Sequence, residues 1–572
     1  MSGFLVVCWP DAARPPFSDA QILGCAGRVD PDDILPREPL HFVSDGLSVV
    51  VMNPVDGLLV DHDAVCLGYL VDPSVDWWKT GRKSPDGTYA ICRHDAELLQ
   101  LVMDDTGSRT IWYVSGDRFF AASTSQRALI GLLGGFELNL GAAAWMLSSG
   151  FLGPTTSWDV RLRPLAPNAR LTLDRHNWLV SVDRSPNRYV PLELPVGEHR
   201  RRLLAAMSHA CSSPQLDDQK WLLPLSGGVD SRGLLLALLH VGRKPTCVTW
   251  GWVSHRDVPG NDVTVAIELT RRLGVSHEFI PLDRSVASPR DAVGHFLRAG
   301  EGRADLFQAY TDGMRMWRGF YERGITGVIR GDESFGWRPV VSEHEARKGM
   351  AYMLCDYPPD HLVRRFEMPA QEWPDYLHKE PTETCTAYSD RLGLDWEVAC
   401  TFAPLNQLKC AYVEVANPFL SASVLRVVRA LPDRLRTDKA LFRQVVASIS
   451  PDVPIATVGG FPGPGFLKSP EVLHEVIDEL STPHAAATLG QDALAALVRR
   501  LARPTGAPSA DSRRRDWQAF AGEHVPWRVA AWLRLFVGRP WLTPEMLGFR
   551  AYIVSRMATI LEEDAREGRA LR

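Results

Sequence analysis

From residue 221 to residue 337 the chain alternates between two hydrophobic rhythms. Residues 221 to 225, WLLPL, form a short, mostly apolar run of the length of a buried strand, and Gly233 to Leu239 begin a packed helix. KPTCVTWGW (244–252) reads as the next strand. In NDVTVAIELTRRLG (261–274), Val263, Ala266, Ile267, Thr270 and Leu273 recur at helical spacing, and HEFIPL (277–282) returns as a strand. GITGVIRGDESFGW (324–337) reads as a further buried strand ending in an acidic turn. Strands alternating with helices predict a parallel sheet with ligands at the carboxyl ends of its strands.

The first 185 or so residues follow another pattern. Short β-like segments such as GLLVDHDAVCLGYLV (57–71), GTYAICRHDAELLQLVMDD (87–105) and DRFFAAST (117–124) are broken by Gly, Pro and Asp. The polar, proline-containing stretch DRSPNRYVPLELPVGEHRRR (183–202) divides the two patterns, giving expected domains of 1–190 and 195–572. Beyond residue 400 the pattern is mainly helical. RRLARPTGAPSADSRRRD (499–516) reads as a mobile loop, and no internal repeat is visible.

Composition narrows the class. Of the 572 residues, 45% are apolar and 23% charged, as in ordinary globular enzymes. The net charge of −5 gives no electrostatic grip on nucleic acid. Ten cysteines occur singly, without a C-x-x-C pair or zinc spacing, so reduced thiols and a cytoplasmic location are expected. The start of the chain lacks the basic flank of a signal peptide, and no apolar stretch approaches the ~20 residues of a membrane span.

The chemistry concentrates at the junction after WLLPL. Ser226-Gly227-Gly228 places two glycines where a strand turns into a helix, permitting a tight turn or close approach to a ligand. The helix N-terminus behind them offers N–H groups and a positive dipole end to phosphate. A Walker A lysine is absent. The bland alternative is a plain strand–turn–helix junction with a capping serine. RGDESFGW (330–337) supplies Asp332 and Glu333 after a second apolar strand; alone, it would pass for an ordinary acidic turn.

SGGVDSR (226–232) resembles the pyrophosphate loop of the N-type ATP pyrophosphatases, which adenylate a substrate and release pyrophosphate. That resemblance implies ATP and Mg²⁺ as cofactors. It implies a nucleotide site at Leu225, Ser226, Gly227, Gly228, Asp230, Ser231 and Gly331, with glycine amides and the Ser226 and Ser231 hydroxyls cradling the pyrophosphate. Asp230 and Asp332 would share the metal, and Asp332 and Glu333 would be the catalytic carboxylates.

A wider likeness covers nearly the whole chain. PDGTYAICRHD and the segments that follow it (85–132) resemble the N-terminal glutaminase domain of the asparagine synthetase superfamily. SGGVDS, GDESFG and VEVANPFLSASVLRVVRALP (413–432) resemble its synthetase domain. GDESFGW and the WGW…ND…A segment look most like the lasso-peptide cyclases, or macrolactam synthetases. The implied fold is an α+β N-terminal domain, a β-rich sandwich of the N-terminal-nucleophile glutaminase type. An α/β synthetase domain with a parallel sheet of the ATP pyrophosphatase fold and added helices would follow.

Departures from the relatives separate the possible activities. Position 2 is Ser2, not a nucleophilic cysteine, and Cys8 lies inside an apolar run, where it reads as core. Ile329 stands where asparagine synthetases resemble one another in a glutamate and β-lactam synthetases in a tyrosine. The superfamily's lysine is missing from IATVGGFPGPGF (455–466), a glycine-rich stretch read as a substrate-covering loop, with Lys468 as its nearest substitute. The expectation is therefore a cyclase acting on a precursor (core) peptide, with a leader peptidase as partner and neither nucleic acid nor membrane involved. A small-molecule asparagine or β-lactam synthetase and a non-catalytic peptide-binding relative are the alternatives. Trp250, Trp252 and Trp337, among 18 tryptophans, are candidates to line a peptide cavity.

Overall fold

The computed structural model describes residues 2–10, 14–217, 219–282, 288–458, 467–502 and 542–571, and all that follows concerns those residues. The N-terminal region holds twelve strands in two six-stranded sheets. The first contains β1 (Gly3–Cys8), β2 (Leu40–Ser44), β3 (Leu47–Met52), β8 (Trp112–Ser115), β9 (Phe120–Ser123) and β10 (Arg163–Pro164), in the order β10-β8-β9-β1-β3-β2. The second contains β4 (Leu59–Asp61), β5 (Ala64–Leu70), β6 (Gly87–His94), β7 (Leu98–Met103), β11 (Ala169–Asp174) and β12 (Leu179–Arg184), in the order β12-β11-β7-β6-β5-β4. Every pairing in both sheets is antiparallel.

Side-chain alternation explains why β1 is buried throughout. Phe4, Val6 and Cys8 face the second sheet with Val65, Leu67, Ala90 and Leu101, while Leu5 and Val7 face the helices on the outer side. Cys8 is therefore core, and none of the ten cysteines is in a disulfide. The second sheet is the one read in outline from residues 57–71 and 87–105; the helices Asp19–Gly27, Gln126–Leu133 and Leu140–Ser149 flank the first.

Residues 185–195 carry no helix or strand and lead into helix α1 (Val196–Ala210). The second region is built on five parallel strands, β13 (Trp221–Pro224), β14 (Thr246–Gly251), β15 (His277–Pro281), β16 (Gly327–Ile329) and β17 (Glu414–Ala416), in the order β15-β14-β13-β16-β17. Helix α2 (Val229–His240) follows β13, and α3 (Asp262–Leu273) joins β14 to β15. Both faces of the central strands are covered, so they read as continuous apolar runs. The chain winds outward from β13 to β15 and then returns to lay β16 on the other side of β13. Strand order thus reverses between β13 and β16, where a crevice opens at the carboxyl edge of an open α/β sheet.

Two sequence expectations need correction. Ile267 does not share the buried face of α3: it is 37% exposed, while Val263, Ala266 and Thr270 are buried. Of the three tryptophans, Trp252 points outward at 38% exposure; Trp250 and Trp337 each line a cavity. β17 lies in the stretch read as mainly helical. The stretch 459–466 and most of 499–516, read as loops, fall outside the described residues.

The two regions are bound together. Arg109 pairs with the buried Glu414 of β17, and Arg127 and Asp564 form a buried pair (Nε to Oδ2, 2.8 Å) that ties an N-terminal helix to the long C-terminal helix Pro544–Ala570. No helix among the described residues is long and apolar enough to cross a membrane.

Candidate active site

The loops after β13 and β16 meet at the crevice. A cavity of about 230 Å³ opens there, lined among others by Leu225, Ser226, Asp230, Ser231, Gly331 and Asp332. Trp250, from the end of β14, lines it as well. Six of the residues expected from sequence to bind nucleotide or metal thus share one cavity wall; Gly227 and Gly228 lie in the loop behind it.

The glycines serve packing rather than an unusual backbone angle. Neither Gly227 nor Gly228 has a positive φ. A Cβ on Gly227 would sit 2.3 Å from Cβ of Ala456, and one on Gly331 would sit 3.2 Å from the backbone N and Cα of Ser231. Gly331 therefore lets the end of β16 close against the first turn of α2, which brings the two carboxylate-bearing loops together.

The loop amides depart from the expectation. The Gly227 N–H donates to Asp262 Oδ1 (2.9 Å), and the Gly228 N–H donates to Ser226 Oγ (3.2 Å). Ser226 Oγ also lies 3.1 Å from Ser231 Oγ, so the two hydroxyls brace each other. In this state the loop's donors are already taken, that of Gly227 by α3. What faces outward is the start of α2, whose N-cap, Gly228, has no side chain to offer the first-turn N–H groups.

Charge is arranged in two pairs. Arg330 donates to Asp332 Oδ1 (2.9 Å), while Asp332 Oδ2 is buried with no hydrogen-bond partner. Lys439 Nζ lies 2.9 Å from both oxygens of Asp230 and also pairs with Glu333 Oε1. Burial alone would lower the Lys439 pKa, but Glu333 and Asp230 raise it above the usual value. Burial pushes Glu333 up to about 7, with Lys439 opposing and Asp230 adding to the rise. Asp438 and Lys439 hold consecutive left-handed backbone conformations, at φ 55° and 56°. The Asp438 N–H donates to the Trp337 carbonyl (3.0 Å), tying this corner to the acidic turn.

Lys439 is the charged residue of this cluster that the sequence reading missed. It stands 209 positions from Asp230, ahead of helix α4 (Ala440–Ile449), where it reads as an ordinary lysine. The residue put forward instead, Lys468, is exposed. The orphaned oxygen of Asp332, on a residue that shares a cavity with Asp230 and the first turn of α2, suits a divalent cation shared with phosphate oxygens.

No family model matches the chain, and no curated protein matches it either. Among solved structures, the matches include synthetases and amidotransferases. One is the NMN synthetase from Francisella tularensis, at 16% identity and TM-score 0.16, covering 25% of this chain and 57% of that one. Another is the glutamine phosphoribosylpyrophosphate amidotransferase from B. subtilis complexed with ADP and GMP, at 11% identity and TM-score 0.20, covering 48% of this chain and 65% of that one. The chain thus spans less than two thirds of the length of either. Overlaps this slight establish neither fold nor function.

Proposed function

We propose that this chain is an ATP- and Mg²⁺-dependent ligase that closes a macrolactam in a ribosomal peptide. The observation that carries the ligase reading is the convergence, at the reversal of strand order, of Asp230, Asp332 and the first turn of α2 around one cavity, with Lys439 paired to Asp230 behind its wall. Asp230 and Asp332 would hold Mg²⁺, which would neutralise charge on the triphosphate. The first-turn amides of α2 would take the β- and γ-phosphates, with Lys439 placed to offset charge on the departing pyrophosphate. An Asp or Glu side chain of the core peptide attacks the α-phosphorus, and its oxygen becomes the bridge to AMP. The peptide's own N-terminal amine then displaces AMP, forming the isopeptide bond.

The peptide substrate is supported by the likeness of GDESFGW to the lasso-peptide cyclases, and by Trp337 lining a second cavity next to the first. Amine and acyl group belong to one molecule, so the protein's main task is to hold both ends together. Such proximity is worth up to roughly 7–11 kcal/mol for well-oriented groups. On the same reading, residues 1–190 form a glutaminase-like domain without its nucleophile, the working location is cytoplasmic, and a leader peptidase supplies the free amine.

The test is mass spectrometry on this chain with a precursor peptide, its leader peptidase, ATP and Mg²⁺. The expected product is a peptide lighter by one water, resistant to aminopeptidase, with one AMP released per ring. Efficient AMP release on free aspartate, without dehydrated peptide, would replace this reading with the small-molecule one.

A further inference from the structure

Lys439 links two cavities: it lines one and pairs with Asp230, which lines the other. The one it lines is the larger, of about 480 Å³, walled among others by Trp337, Arg338, Glu345, Glu397, Lys439 and Arg443. Glu397 belongs to the π-helical segment Gly393–Phe402, a geometry that is rare and gathers at functional sites. Among the described residues it has no hydrogen bond or ion pair, although the acids around it are engaged: Glu333 by Lys439, and Glu345 by the Val341 N–H. The Glu397 carboxyl is half-buried and lines the open volume of this cavity, free to meet a ligand group there.

We infer that Glu397 is the proton acceptor for the attacking amine of the substrate, which enters the second cavity between Trp337 and Glu397. This inference rests on the ligase reading above and names the group that completes its second half. Three features support it. Lys439 lines the second cavity and pairs with Asp230 of the first, so an amine held there lies next to the site of the adenylate. Trp337 lines the same cavity, and its indole is the side chain that attracts cations most strongly. Burial, reinforced by Glu333, pushes the Glu397 carboxyl up to about 8. A peptide α-amine titrates at about 7.7–8.0, so proton exchange between the two is close to balanced.

The step balances as follows. The neutral amine's lone pair forms the N–C bond to the acyl carbon. The C–O bond to AMP breaks, and its electron pair leaves on the phosphate oxygen. The nitrogen's surplus proton passes to the Glu397 carboxylate, which returns it to water after product release.

The experiment compares wild type, E397Q and E397D on synthetic core peptides carrying an N-terminal glycine and one Asp or Glu several residues on. Pyrophosphate release reports adenylation, loss of water reports ring closure, and added hydroxylamine traps the adenylate as a hydroxamate. Hydroxylamine is already neutral at neutral pH and needs no base. E397Q is expected to keep the first-turnover burst of pyrophosphate and, with hydroxylamine, hydroxamate formation within about threefold while ring closure falls about 100-fold or more; E397D should fall between. Ring closure at the wild-type rate in E397Q, or an equal fall of all three readouts, would overturn the role of Glu397. Failure of the wild type to adenylate any peptide, by contrast, would sink the ligase reading and this inference with it.

Discussion

Ser2 and Asp332 stand at the ends of buried strands in different halves of the molecule, and each has a buried side-chain oxygen that no donor reaches. Their surroundings differ. Ser2 is 1% exposed, its N–H donates to the Cys410 carbonyl (2.8 Å), and Cys8, further along the same strand, is sealed between two sheets. Asp332 lines an open cavity with Asp230, a helix N-terminus and a tryptophan around it. An unsatisfied oxygen matters to function where space and complementary charge accompany it. In the N-terminal half the chain is packed as structure; at the edge of the parallel sheet the same kind of atom belongs to a residue that lines a ligand-sized volume.

The sharpest way to break the contrast is to remove the carboxylates. Asp230→Asn and Asp332→Asn should each lower AMP formation by about a thousandfold, because the triphosphate loses its metal-mediated neutralisation. Asp332 sits on a loop and Asp230 in the first turn of α2, and asparagine keeps the shape of either side chain, so the fold should survive in both variants. Wild-type AMP release from either variant, in a pyrophosphate-coupled assay, would remove the cavity's claim to be the active site.

Lys439→Met should come next, with adenylation down about a hundredfold. It leaves Asp230 and Glu333 facing each other without a cation, so stability should also fall, by on the order of 3 kcal/mol. Lys439→Arg should recover part of the stability. A Met variant that melts like wild type would mean the pair contributes nothing to the fold.

Lys409 tests the same edge through pH. It is buried on helix Ala403–Cys410, and burial, with Arg330 adding to it, pulls its pKa down from 10.5 to about 7. Between those two values the unfolded chain binds a proton that the folded chain does not, so stability rises with pH across that window; below about 7 the full cost of the buried charge remains. Lys409→Met should therefore raise stability at pH 6, by on the order of 4 kcal/mol, and the gain should shrink as the pH approaches 10. Equal melting shifts at both ends of that range would contradict the shifted lysine.

The smallest effect is expected in the N-terminal half. Ser2→Ala removes an orphaned hydroxyl and should be neutral or slightly stabilising, leaving ATP-dependent turnover within about twofold of wild type. Ammonia release from glutamine by the wild type, lost in Ser2→Ala, would show that this end of the molecule is a working site after all.

Local features of the crevice were legible because they are short-range: a five-residue apolar run, a Gly-Gly junction and an acidic turn each announce themselves within a dozen residues. Asp230 and Asp332 could be placed at one sheet edge because each follows a strand of a parallel sheet. Lys439 could not, because its partner is 209 residues away and no local pattern separates it from a surface lysine. Glu397 was hidden for another reason: a π-helical stretch has neither the 3.6-residue nor the two-residue rhythm by which elements are read. Ile267 misled because helical spacing gives the face of a helix without saying how wide the neighbour covering it is. The use of Gly227 was foreseen in kind, close approach, but the approaching body is Ala456, a contact only the fold creates.

The two left-handed residues at Asp438 and Lys439 bear on how the site is divided. Non-glycine residues occupy that conformation in a narrow well, and here the first is also tied to Trp337 by a hydrogen bond. The backbone at Lys439 is therefore held where its ammonium lines one chamber and pairs with Asp230 on the wall of the other, so the two walls share a single ion pair. A charge placed on one side therefore changes the electric field on the other through that shared pair.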